Sequence, residues 1–139
     1  MTDTEARRTG PRRWRGQEPE DRRAARRTQL IEAGLQIMGT EGAAAATMRA
    51  TCREAALTER YFYESFDDRD AFVRAVYAAV GEHVRAVLEG AVGTVPQPRD
   101  VPGAAVRAFV ELIVDRPAVG RVLLLGPLRE PALGGQGLD

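Results

Sequence analysis

The sequence has no lysine and no asparagine, and only one cysteine, one histidine and one tryptophan among 139 residues. With Cys52 alone no internal disulfide can close, and such a chain suits a reducing compartment. With His83 alone no histidine-based metal cluster can be assembled, and neither a metal nor a cofactor is expected. His83 falls beside an apolar stripe, either lining a ligand cavity or simply at the surface. No run approaches the ~20 apolar residues that a membrane span requires. Arg7-Arg8 and Arg12-Arg13 are not followed by the apolar segment of an export signal, so a cytoplasmic protein with no membrane partner is expected. There is no glycine-rich phosphate loop, nucleophile motif or spaced carboxylate pair, which leaves an enzyme reading without support. All 20 basic residues are Arg and they match 20 acidic ones, so formal net charge is zero. Affinity for a polyanion therefore has to come from local charge. The lack of Lys reads as a GC-rich coding sequence rather than selection for Arg, since Lys also binds phosphate.

What is present reads as a soluble globular chain, 44% hydrophobic and 29% charged, long enough for one core. Residues 1–20 repeat no apolar side chains at either period and read as a disordered, Arg-rich arm. Its arginines either track phosphates and a narrow minor groove or are merely solvated. A first helix is expected from near Asp21 to Met38, with Leu30, Ala33, Gly34, Ile37 and Met38 as its apolar stripe. Arg22, Arg23, Arg26 and Arg27 then sit near its start, where the helix dipole disfavours cations and nearby phosphates would explain them. Gly39 and Gly42 end it.

The chain is organised around Thr47–Phe66, TMRATCREAALTERYFYESF. Met48, Thr51, Cys52 and Ala55 recur at helical spacing, with Arg49, Arg53 and Glu54 on the other side. A turn follows at Ala55-Ala56-Leu57, and Thr58 stands as the N-cap of a second short helix. There Phe62 and Phe66 point inward, leaving Glu59, Arg60, Tyr61 and Tyr63 outside. Two short helices, a tight turn and an exposed second helix bearing Arg and Tyr describe a helix-turn-helix DNA reader. Cys52 reads as a core filler.

Beyond it, Asp67 or Asp68 caps a long fourth helix reaching Gly90, with Gly81 marking either a bend or a close approach. Val92–Gly103 is a Gly/Pro-rich connection. A fifth helix buries Val101, Ala105, Ala108, Phe109 and Leu112, and a short sixth starts at Pro117 with Val119, Val122, Leu123 and Leu125. The last dozen residues are too rich in Gly and Pro for regular structure. Leu123, Leu124, Leu125 and Leu128 are expected to be exposed and to mark a self-association surface.

Three blocks, QLIEAGLQIMGTEG (Gln29–Gly42), TMRATCREAALT (Thr47–Thr58) and YFYESFDDRDAF (Tyr61–Phe72), resemble the DNA-binding domain of the TetR/AcrR family of bacterial transcriptional regulators. The resemblance covers about residues 26–77. It implies an all-α fold: a three-helix DNA-binding domain over 21–66, then a shortened helical ligand-binding and dimerisation domain over 67–139. It further implies a homodimer on a palindromic operator in double-stranded DNA, nucleoid-associated when bound, acting as a repressor released by a small apolar ligand. Arg49, Glu59, Arg60 and Tyr61 match base-reading positions; Thr47, Thr58, Tyr63 and Arg69 match phosphate contacts. Two departures stand out. The family places Gly where Ala56 stands and a large aliphatic residue where Thr51 stands, and both changes predict a less stable domain. Family members also continue through several more helices, so a truncated or differently assembling member is expected. The alternative function is a helical interaction module that pairs with a full-length regulator and binds no DNA alone.

Overall fold

The first helix extends upstream of its apolar stripe. The computed structural model describes residues 14–125, with side-chain surroundings from 18 to 124. In it α1 spans Trp14–Glu41, α2 Met48–Ala55, α3 Glu59–Ser65, α4 Arg69–Gly93, α5 Val101–Asp115 and α6 Pro117–Leu125; short 3-10 turns cover Ala43–Ala45 and Pro98–Asp100. Every regular element among the described residues is helical, and the fold is all-α as expected.

α1 corrects the expected boundary of the arm. Residues 14–20 are helical, with Pro19 inside the helix, while residues 1–13 lie outside the described residues. Arg15, Gln17, Glu18 and Glu20 are good helix formers that form no apolar stripe, and they offset the poor formers Gly16 and Pro19 among them. Arg22 also reaches Glu18 one turn earlier at 3.5 Å. An apolar repeat thus marked the packed part of the helix, not its full length. The four arginines consequently lie in the helix interior, and the dipole no longer singles them out. At the other end Gly39 stays inside α1, and Gly42, at φ 96°, terminates it.

α1 is the axis of the molecule. It contacts α2, α3, α4 and α6, so from Leu30 to Gly39 only Glu32 and Gln36 remain exposed. The predicted stripe is buried, and Ile31 and Leu35 join it because partners lie on more than one side. Phe72 packs so closely on Gly34 that any Cβ there would overlap its ring. A Cβ on Gly39 would fall 2.6 Å from the Ala118 Cα, which fixes α6 against the end of α1. Two polar contacts secure the same seam: Arg121 Nη1 donates to the Gly39 carbonyl at 3.2 Å, and Arg116 pairs with Glu32 at 3.2 Å. Phe62, Phe66 and Phe72 form an aromatic triangle with centroids 5.1 to 5.4 Å apart. It continues without a break into Val73, Val76, Val80, Leu112, Val119 and Val122. One apolar cluster therefore crosses the expected boundary between residues 66 and 67.

The turn between α2 and α3 is closed by a Schellman pair, Leu57 N–H to the Cys52 carbonyl at 2.9 Å and Ala56 N–H to Arg53 at 3.2 Å. Its geometry puts Ala56 in the left-handed region, φ 56° and ψ 41°. That conformation strains any residue with a Cβ. Ala56→Gly is expected to stabilise the fold by about 0.5–1 kcal/mol, after allowing for glycine's unfolded-state entropy. The urea midpoint reads it out; a lower midpoint would show that the turn is not strained.

Thr51, the other departure, is fully buried, and its hydroxyl has no hydrogen-bond partner. Thr51→Val keeps the shape and removes the stranded hydroxyl, so a gain of about 1–2 kcal/mol is expected in the same assay. Cys52 is buried beside it. Burial pushes its thiol up, and the Glu59 carboxylate adds to the effect, which fits a core filler.

Asp68 rather than Asp67 caps α4, accepting from Ala71 N–H at 2.7 Å. Nothing approaches Gly81, and α4 runs on to Gly93. At the far end Leu123 packs against the core instead of lying exposed. Four residues after buried Val119, it falls on the same face of α6. Leu124 is exposed as expected, whereas the Leu125 side chain, Leu128 and the rest of the expected irregular tail lie outside the described residues. Another exposed apolar stripe lies on α5: Val106, Val110 and Val114, four residues apart, are 63%, 52% and 70% exposed.

Candidate nucleic-acid interface

α2 and α3 are both short, and what makes them presentable is the scaffold behind them. Thr47 extends the chain into α2 and caps it, its Oγ1 accepting from Ala50 N–H at 3.1 Å. Thr58 occupies the N-cap position of α3 but makes no side-chain capping bond, contrary to expectation. The first turn of α3 is closed instead by Tyr61 N–H to the Thr58 carbonyl at 3.0 Å. Both threonine side chains are exposed.

The eight residues singled out from the sequence do not all share one surface. Arg49, Glu59, Arg60 and Tyr63 are exposed. Arg49 and Glu59 meet across the two motif helices at 4.0 Å, so a candidate cation and a candidate anion are brought side by side. Both are well exposed, which keeps that pair weak. Tyr61 departs from expectation. It is half-buried on the α1 side of α3, with the Arg26 guanidinium 4.4 Å above its ring. The reason is tertiary: α1 runs along the edge of α3 that carries Tyr61 and Glu64, where Arg26 reaches both, and leaves Tyr63 uncovered. Arg69 is also half-buried, and its Nη2 donates to the Ala43 carbonyl at 2.6 Å. It braces the 3-10 turn that leads into Thr47.

One charged cluster beside α3 was not singled out from the sequence. Glu64, in the last turn of α3, accepts from Arg23 Nε at 3.3 Å and from Arg26 Nη2 at 3.1 Å. Burial alone would raise its carboxyl, but the Arg26 hydrogen bond and charge, helped by Arg23, hold it below the usual carboxylate range. Arg27 lies 5.1 Å over the Phe66 ring. Three of the four arginines are thus engaged with α3 or its C-cap Phe66, and the fourth with Glu18. The available signal was Glu64 itself, since a carboxylate near a helix C-terminus is unfavourable without a compensating partner.

Two open grooves accompany this surface. One, of about 390 Å³, lies between α1 and α2 along Gln29, Glu32, Gln36 and Glu54. The other, of about 280 Å³, lies on α5 and α6 along Ile113, Pro117, Gly120 and Leu124. His83 is half-buried and lines neither. Val73, Val76 and Val80 of α4 are packed in the core, with Val84 and Val87 partly buried against it. No helix among the described residues is long and apolar enough to cross a membrane.

A long axial helix, a helix-turn-helix closed by a left-handed residue and an α-helical C-terminal half define an all-α regulator fold. No protein-family model matches the chain, and no curated protein matches it. Among solved structures it is similar to a proposed transcriptional regulator from Pseudomonas aeruginosa PAO1, at 30% identity and a TM-score of 0.51, over 87% of this chain and 70% of that one. The chain belongs to the same family of transcriptional regulators.

Proposed function

We propose that the protein is a DNA-binding regulator of the TetR/AcrR type, a dimeric, cytoplasmic, ligand-responsive repressor that reads a palindromic operator. The observation that carries this reading is the outer face of α3, where Arg60 and Tyr63 stand exposed beside the Arg49–Glu59 pair, on a helix anchored from behind by Phe62 and Phe66. Arg60 and Arg49 supply donors that suit guanine, and Glu59 supplies an acceptor for cytosine N4. Thr47, Thr58 and Tyr63 supply hydroxyls for phosphates. Arg69 acts mainly by holding the turn ahead of Thr47, and reaches phosphate only by releasing Ala43. Dimerisation would place two α3 helices in successive major grooves, ~34–36 Å apart. The α1–α6 seam at Gly39 and Ala118 supports a mechanical link from the C-terminal helices to the reading head. A small apolar ligand in the α5–α6 groove would act through it; a coupling of ~1–3 kcal/mol gives 5–150-fold control.

Selection from a random duplex library with the purified chain tests the reading. A palindromic site with a half-site spacing near one helical turn is the expected result, and no enrichment would overturn it.

The exposed valines of α5 favour assembly, since contiguous apolar surface on a regulator of this kind marks an interface. Sedimentation at micromolar concentration is expected to give a mass above the monomer, and Val110→Glu/Val114→Glu to return it to the monomer. A monomeric parent chain would favour the second reading, an interaction module that needs another regulator to reach DNA.

A further inference from the structure

Glu64 is in an unfavourable place for α3 considered alone. Its carboxylate sits in the last turn of a seven-residue helix, where the exposed carbonyls already carry partial negative charge. It also lies on the element proposed to approach a polyanion. Neither local stability nor DNA affinity explains it. Its partners do: Arg23 and Arg26 come from α1, 41 and 38 residues earlier, and they meet Glu64 at the surface, with the Arg26 and Glu64 side chains 21% and 26% exposed.

Arg26 does two things at once. Its Nη2 bonds Glu64, while its guanidinium carbon lies 4.4 Å over the Tyr61 ring. Tyr61 and Glu64 are three residues apart, so they sit one turn apart on the same edge of α3. Gripping a helix at two points along one edge restrains its rotation as well as its distance, which apolar packing of Phe62 and Phe66 alone does loosely. Among the described residues the buried Arg26 Nε has no hydrogen-bond partner, a cost that this geometry carries.

We propose that Arg26, Tyr61 and Glu64 form a clamp, with Arg23 as its outer arm, that sets the rotation of α3 against α1 and thereby aims Arg60 and Tyr63. These are positioning residues: they determine which bases are read without touching them. The DNA consequence rests on the function proposed above, but the clamp itself does not.

The test reads both. In Glu64→Gln, hydrogen exchange of the Phe62–Phe66 amides is expected to accelerate at least tenfold, while α2 and α4 amides change by less than threefold and the circular dichroism of the full chain is unchanged. Arg26→Met, which releases both grips, is expected to accelerate the same amides further than Glu64→Gln, which leaves the Arg26–Tyr61 contact in place. On DNA, the ratio of selected-site to random-duplex affinity is expected to fall about tenfold with the salt slope unchanged. Unaltered α3 exchange overturns the clamp whether or not the parent chain binds DNA. Faster α3 exchange with undiminished discrimination overturns its role in aiming. Tighter binding to every duplex with a steeper salt slope also overturns it, by showing Arg23 and Arg26 to be phosphate ligands masked by Glu64. If Glu64→Gln fails to fold, Tyr61→Leu, which removes the ring but keeps apolar volume, is read against the same outcomes.

Discussion

Phe62→Ala is expected to destabilise the protein by about 3–5 kcal/mol, a large share of the 5–15 kcal/mol available to a small domain. Phe62 is 1% exposed and lies 5.4 and 5.2 Å from the Phe66 and Phe72 rings, with Tyr63 edge-on at 5.7 Å. Truncation removes the centre of that cluster, and the neighbours cannot collapse into the space. Phe72 is held against Gly34, and Phe66 follows α3 as its C-cap residue. Because the same cluster joins the motif helices to α4, the loss should appear as one cooperative transition in urea with a lowered midpoint. A separate early transition of α2 and α3, leaving α4 to α6 folded, would show that the shared core does not couple the two halves. Phe62→Leu, which retains most of the apolar volume, is expected to recover more than half of the loss.

Arg60→Ala is expected to cost ~1–3 kcal/mol at one base position and to relax preference there. Arg60 stands exposed near the start of α3, whereas Arg23, Arg26 and Arg49 are each committed to a carboxylate. An uncommitted guanidinium can present its fork to guanine O6 and N7 without first breaking an ion pair. Site selection with the variant, compared position by position with the parent, measures the effect. A uniform loss over all sequences would assign Arg60 to phosphate instead. Glu59→Gln provides the contrast. Removing a carboxylate that faces the polyanion, and freeing Arg49 from a weak surface pair, should raise background affinity for every duplex and deepen the salt dependence slightly. Loss of the carboxylate proposed for cytosine N4 relaxes preference at that one position.

Much of the fold was legible in local pattern. The stripe from Leu30 to Met38, the paired inward aromatics Phe62 and Phe66 and the restart at Pro117 are each set by residues within a turn or two. Spacing and side-chain chemistry suffice for such features. The same holds for Ala56, where a Schellman closure demands a positive φ whatever residue is present. Residues 14–20 were misread because polar helix formers leave no apolar trace.

The tertiary structure decided everything that depends on which faces meet. Tyr61 and Tyr63 are chemically alike and two residues apart, yet one is covered by Arg26 and the other exposed; only the angle between α1 and α3 separates them. Arg69 has the charge for phosphate but meets the Ala43 carbonyl, because folding brings residues 26 apart within hydrogen-bond reach. Glu64 has no meaning in its own helix and acquires one from arginines some forty residues away. Local sequence fixes periodicity, caps and turns because those energies act over a few residues. Partner choice rests on long-range contacts among similar side chains, and its outcome is settled only when the helices pack.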